Sequence, residues 1–300
     1  MTASEARRPT TIEGVRTALA GFRSADGDAH AARFRPRPTD VIVATYPKCG
    51  STWMQQILHG LRTGGLMDFD EITEAVPWIE MAYDLGHDLE ADQVAEPRAF
   101  KSHWRRDDVP EGCRYICILR DPKDVMVSFY RFFEGWFFEP GSISLDTLIR
   151  EFILQGTRSG RYWDHILAAW EYRDRPDTLL LAYEDMKAAP RRAVARVADF
   201  LELDARPATI DVATEQSSIE FMKRHESQFD DHLIRAARDA ACGLPPDGDA
   251  TKVREGQVGG HKAAMSADLA QALDQVWRDD IESRLGFADY QALREALAGD

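Results

Sequence analysis

The stretch from Val41 to Trp53 constrains this chain more than any other. Val41, Ile42, Val43 and Ala44 form a short, β-branched apolar run, the pattern of a buried strand. Tyr46-Pro47 ends it, because proline cannot donate to a ladder and holds the residue before it extended. Gly50 permits a turn that other residues resist. Ser51 and Thr52 then suit the start of a helix running on through Trp53, Met54 and Ile57. A helix that begins in such a loop has unpaired N–H groups and the positive end of its dipole pointing into the loop, so the arrangement binds anions. Lys48 adds a full charge, and Ser51 and Thr52 add hydroxyls. The expected ligand is a phosphate or a group of the same shape.

An ordinary nucleotide triphosphate loop is disfavoured. That motif places lysine after its last glycine, whereas Lys48 precedes Gly50 and no upstream glycine has the required spacing. Composition narrows the classes further. A chain of 300 residues, 44% hydrophobic, is an ordinary globule of one large α/β domain or two small ones. No boundary splits it, and we expect a single domain over 1–300. The formal net charge is −14, which opposes general nucleic-acid binding. It also opposes a polyanionic ligand at long range, but salt screens that field beyond roughly 10 Å, so a local cluster of Lys and Arg must do the binding. No apolar run is long enough for a membrane span. The polar N-terminus and four cysteines without a disulfide or zinc pattern, Cys49, Cys113, Cys117 and Cys242, fit a reducing cytoplasm.

Along the chain, 10–20 reads as a helix capped by Thr10 or Thr11, and 33–38 as an extended lead-in, the end of an N-terminal segment over 1–37. Arg98 to Ser102 reads as a strand ending in the polar triplet Lys101-Ser102-His103. Arg114 to Leu119 is a near-continuous apolar strand, as in a parallel sheet covered on both faces. It runs into Arg120-Asp121-Pro122-Lys123-Asp124, where Asp121 suits the cap and Pro122 the first helical position. This is a second strand–turn–helix anion site. Residues 130–138 are so rich in rings that not all can face inward from one helix; Tyr130, Trp136 and Phe137 are candidates to line an apolar pocket. A further buried strand runs into Tyr183-Glu184-Asp185-Met186, and helices are expected over 145–154, 162–172, 190–201 and 266–284. Residues 243–262 are rich in Gly, Pro and Asp and read as a mobile loop.

Together these segments resemble the cytosolic sulfotransferase family over about residues 38–285. The first loop resembles its Tyr-Pro-Lys-Ser-Gly-Thr-Thr-Trp, with Cys49 and Ser51 in place of the usual Ser and Thr. Lys101-Ser102-His103 resembles Lys-Thr-His. Arg120, with Ser128 eight residues on, resembles its 3′-phosphate motif, with Asp121 replacing Asn. Ser217-Ser218-Ile219 resembles Thr-Ser-Phe, and Arg254-Glu255-Gly256 resembles Arg-Lys-Gly. The resemblance implies a mainly parallel central sheet flanked by helices, and the donor 3′-phosphoadenosine 5′-phosphosulfate (PAPS), leaving the product PAP, with no metal. It implies His103 as catalytic base, with Lys48, Lys101 and Ser128 assisting. The nucleotide would be held by Lys48, Cys49, Gly50, Ser51, Thr52, Trp53, Arg120, Ser128, Tyr183, Ser217, Ile219, Arg254, Glu255 and Gly256, the last three on the loop that covers it. The acceptor would meet Trp78, His103, Tyr130, Trp136 and Phe137.

The rings favour a small aromatic or hydrophobic hydroxyl acceptor. Two other classes stay open: a nucleotide-dependent small-molecule kinase and a non-catalytic PAPS- or PAP-binding protein. The family's C-terminal dimer motif is present only as Lys262 and Ser266, so a monomer or weak homodimer is expected. For Cys49 two readings remain. It is an inert small residue in a tight loop, or a thiol activated by Lys48 and the helix N-terminus.

Overall fold

The computed structural model describes residues 6–254, 256 and 258–299, so Glu255 lies outside the described residues. β1 (Val41–Ala44), β2 (Ala99–Ser102), β3 (Arg114–Leu119) and β4 (Thr178–Ala182) form one parallel sheet in the order β2-β1-β3-β4. Val41 lies opposite Ala99 on one side and Arg114 on the other. Successive strand residues point to opposite faces, and the core divides accordingly. Ile42, Phe100, Tyr115, Cys117 and Leu180 enter one cluster, and Val41, Val43, Ile116, Ile118 and Leu181 the other. Both faces being covered explains why the strands read as unbroken apolar runs.

The two strand–turn–helix units go to opposite faces. After β1, α3 (Ser51–Thr63) follows an earlier α1 (Ile12–Ala20) and α2 (Ala25–Ala31) and packs Met54, Ile57 and Leu58 on the second cluster. After β3, the Pro122–Trp136 helix packs Val125, Met126 and Phe133 on the first. β1 thus sits where the chain changes sides, the place in an open α/β sheet where a crevice forms at the strands' carboxyl ends. At the opposite end, Arg98 and Asp40 form a fully buried bidentate pair, with bonds of 3.0 and 2.7 Å, that joins the starts of β1 and β2.

Several expectations shift by a turn. Thr11 caps α1, accepting from the Gly14 N–H at 3.2 Å. α2, just before the extended lead-in, lacks apolar periodicity and was not legible; Ser24 caps it. The segment over 145–154 is one α-helical turn, Leu145–Leu148, continued by a π-helical turn, Ile149–Ile153. Ser266 caps the Ala267–Trp277 helix as expected. A terminal helix, Tyr290–Gly299, follows it, and its Tyr290 hydroxyl donates to buried Glu184 at 2.7 Å. Among the described residues no helix is long and apolar enough to cross a membrane.

Candidate active site

Each strand delivers a polar residue immediately beyond its carboxyl end or one loop later. β1 leads to Lys48 and Gly50, β2 to His103, β3 to Arg120 and β4 to Tyr183. All five line one cavity of about 970 Å³. The sheet therefore brings together residues spread over more than a hundred positions of sequence.

The first loop is strained where it must be tight. Lys48 has φ +70° and Gly50 +105°, both left-handed, and α3 starts directly at Ser51. A Cβ on Gly50 would lie 3.1 Å from the Tyr183 ring, so the position excludes larger residues for space as well as conformation. Arg120 donates to the Lys48 carbonyl at 3.0 Å, and its guanidinium lies 4.4 Å from the Tyr183 ring centroid. Tyr183 in turn meets Trp53 edge-on at 5.4 Å. The two anion motifs are thus one structure. Ser51, Thr52, Trp53, Ser128, Ser217, Ile219, Arg254 and Gly256 also border the cavity.

His103 is buried. Its Nδ1 lies 2.7 Å from the Thr45 carbonyl oxygen, so this nitrogen carries the proton and Nε2 is the bare acceptor. Its backbone N–H donates to buried Glu80 at 2.7 Å, and Trp78 stands edge-on at 4.9 Å. Burial, and then the nearby Lys101 ammonium, hold the imidazole well below its ordinary pKa, so it is neutral at pH 7. Lys101 lies 4.0 Å from the Trp78 ring centroid, and Lys48 lies 3.9 Å from that of Phe132. Burial first, and then the charge of Lys252, push both lysines down to about 7.

Lys252 is a residue that the sequence did not single out. It borders the same cavity, nearly buried, and is ion-paired with buried Asp231. It belongs to the segment 243–262, which the structure fastens at several points. Asp124 accepts from the Gly259 and His261 N–H groups at 2.7 and 3.0 Å. Lys187 donates to the Gly256 carbonyl. Asp249 donates its N–H to the Gly135 carbonyl at 2.8 Å, where a Cβ on Gly135 would lie 2.5 Å from the Asp249 oxygen.

Three expected residues sit elsewhere. Trp136 does not line the cavity: it is 1% exposed, and its indole donates to Asp239 at 2.7 Å within the core. Tyr130 does not line it either, because its hydroxyl is tied to Glu134 and the Ile143 carbonyl. Cys49 turns its side chain into the core rather than the loop, and burial pushes its thiol up to about 12, so the activated-thiol reading is corrected. Phe137 and Trp78 do border the cavity. So do Arg16 and Phe22, from and just after α1, which the sequence left as part of a lead-in. Among the described residues the one group spaced like metal ligands, Glu71, Asp230 and His232, is outside the cavity lining.

The chain is similar to known proteins over most of its length. Sulfotransferase 1B1 of dog is 28% identical over 260 residues, covering 83% of this chain and 86% of that protein. Sulfotransferase 1E1 of rat is 31% identical over 202 residues, covering 64% and 68%. Among solved structures, mouse sulfotransferase SULT7A1 complexed with PAP matches with a TM-score of 0.66 at 19% identity, covering 93% of this chain and 94% of that one. Retinol dehydratase in complex with retinol and PAP matches with a TM-score of 0.69 at 18% identity, covering 92% and 96%. These two show the shared fold. Residues 38–289, which contain the four strands and all five strand-end residues, match the sulfotransferase domain, and the chain belongs to that family.

Proposed function

We propose that the protein transfers a sulfuryl group from PAPS to the hydroxyl of a small aromatic or apolar acceptor, with His103 as general base. The observation that carries this is the His103–Thr45 hydrogen bond, which leaves Nε2 unprotonated in a cavity shared with Lys48 and Lys101. The residues present fit the donor: Arg120, Ser128 and Arg254 line the cavity and supply the cationic and hydroxyl groups that a 3′-phosphate needs. Solved structures of the same fold in complex with PAP support the same choice.

When bound, PAPS supplies the sulfuryl group, and transfer breaks its sulfur–oxygen bridge to the 5′-phosphate. His103 Nε2 takes the acceptor proton as the acceptor oxygen bonds to sulfur. Lys48 and the α3 N-terminus stabilise the electron pair left on the departing phosphate oxygen, and Lys101 holds the sulfuryl oxygens. Phe22, Trp78 and Phe137 wall the acceptor side with apolar surface. The four free cysteines fit a cytoplasmic location. A thermal-shift comparison tests donor choice. PAP should raise the melting temperature and ATP should not; equal stabilisation by ATP would move the protein to the kinase class.

A further inference from the structure

The acceptor side of the cavity is apolar but not neutral. Besides Arg120, Arg131 and Arg254, three guanidiniums border the cavity: Arg16 on α1, Arg23 just beyond α1, and Arg158 on the 156–160 turn. The carboxylates that border the cavity lie elsewhere or are engaged. Asp124 holds the Gly259–His261 turn, Asp231 pairs with Lys252, and Glu215 and Glu220 flank Ser217 and Ile219 on the nucleotide side. Behind the arginines, Asp28 alone serves both Arg23, at 2.9 Å, and Arg158, at 2.7 Å. Arg23 also faces Glu80, whose ionised form burial disfavours. Arg16 has no ion pair among the described residues. It donates to the Glu151 backbone carbonyl, and its guanidinium lies 5.5 Å from the centroid of Phe152, another residue of the cavity wall.

We propose that this cavity selects acceptors that carry an anionic group, a carboxylate or its equivalent, on an apolar frame, with the anion at Arg16 and the hydroxyl at His103. The inference rests on the sulfuryl-transfer reading for the chemistry at the hydroxyl, but not for the charge preference. A chain of net charge −14 repels anions at a distance, so an anionic acceptor requires local cations in the cavity wall. A neutral phenol or alcohol has no use for them. Arginine suits the position, being weakly hydrated, able to grip a carboxylate through two N–H groups, and able to lie on a ring while doing so. Structural duty accounts for Arg23 and Arg158, which tie α2 to the 156–160 turn through Asp28, whereas Arg16 is exposed at the cavity border and its charge is free to meet a ligand.

The experiment compares 4-hydroxyphenylalkanoic acids of increasing chain length with their methyl esters. Binding to the PAP-loaded protein is read by calorimetry, and kcat/KM is read with PAPS. The acids should be favoured over the esters on the order of tenfold, the size of one charge-assisted hydrogen bond at a partly exposed site. Arg16→Met should remove most of that preference while leaving the esters within about twofold, and Arg16→Lys should keep part of it. Esters that bind as well as acids to the wild-type protein would overturn the proposal, as would an Arg16→Met variant that weakens both equally. A calorimetric preference for acids without any turnover of PAPS would support the anion subsite and sink the sulfuryl-transfer reading alone.

Discussion

The carboxylate of Asp124 binds the backbone N–H of His261 at 3.0 Å and faces its ring Nδ1 at 2.8 Å, so one residue of the Pro122–Trp136 helix holds down the turn that closes the 243–262 segment. The same carboxylate takes the Gly259 N–H at 2.7 Å. This helix also carries Ser128, so its start is at once a wall of the nucleotide cavity and the anchor of the loop beside it.

Asp124→Ala should therefore release the loop without touching the first anion motif. We expect PAP affinity to fall about tenfold while Tm falls only modestly, since the half-exposed 258–262 turn that Asp124 holds adds little to the core, where Leu244 and Ala250 of the same segment stay packed. Calorimetry with PAP checks this. Unchanged affinity would make the Asp124–His261 contact incidental to ligand binding.

Arg120→Ala should weaken PAPS far more than adenosine 5′-phosphosulfate, which lacks the 3′-phosphate. The buried guanidinium also holds the Lys48 carbonyl at 3.0 Å, so some loss for both ligands is expected from a loosened loop. Competition assays with the two donors separate these effects, and equal weakening would assign Arg120 to loop structure alone.

The lysines give a pH signature with a definite sign. Lys48 and Lys101 are pushed down to about 7, so in the free protein they are charged below that pH and lose charge as pH rises through it. An anionic ligand favours the charged forms. PAP affinity should fall from pH 6 to pH 9, and binding should take up protons above pH 7. Lys252→Met removes a like charge that lowers both lysines, so the fall should move to higher pH. A purely structural Lys252 would change affinity at every pH and leave the midpoint in place.

Cys49 should resist alkylation. Its thiol is raised to about 12 by burial, as are those of Cys113 and Cys117, and only the thiolate reacts readily. Mass spectrometry after brief iodoacetamide treatment of the native protein should find all three almost unlabelled. Rapid labelling of Cys49 that PAP prevents would restore the activated-thiol reading.

What the sequence made legible was whatever sits next to a strand end in sequence. Lys48, His103, Arg120 and Tyr183 follow apolar runs, so a parallel-sheet pattern alone places them at one edge. What it hid depends on helix phase or on distant approach. Trp136 and Phe137 are neighbours in sequence, yet one is core and the other borders the cavity. Cys49 has electropositive neighbours along the chain, but its side chain faces the other way. Arg16, Phe22 and Lys252 carry no local motif, and the folding of α1 and of the 243–262 segment over the sheet edge brings them to the cavity.

The central claim is that His103 takes the acceptor proton during sulfuryl transfer. Transfer from labelled PAPS to a phenolic acceptor, measured for wild type and His103→Ala alongside PAP affinity, tests it most directly. The account predicts measurable wild-type turnover, a loss of about a hundredfold or more in kcat for the variant, and PAP affinity within about twofold. Activity of the variant within a few-fold of wild type, at equal PAP affinity, would contradict it.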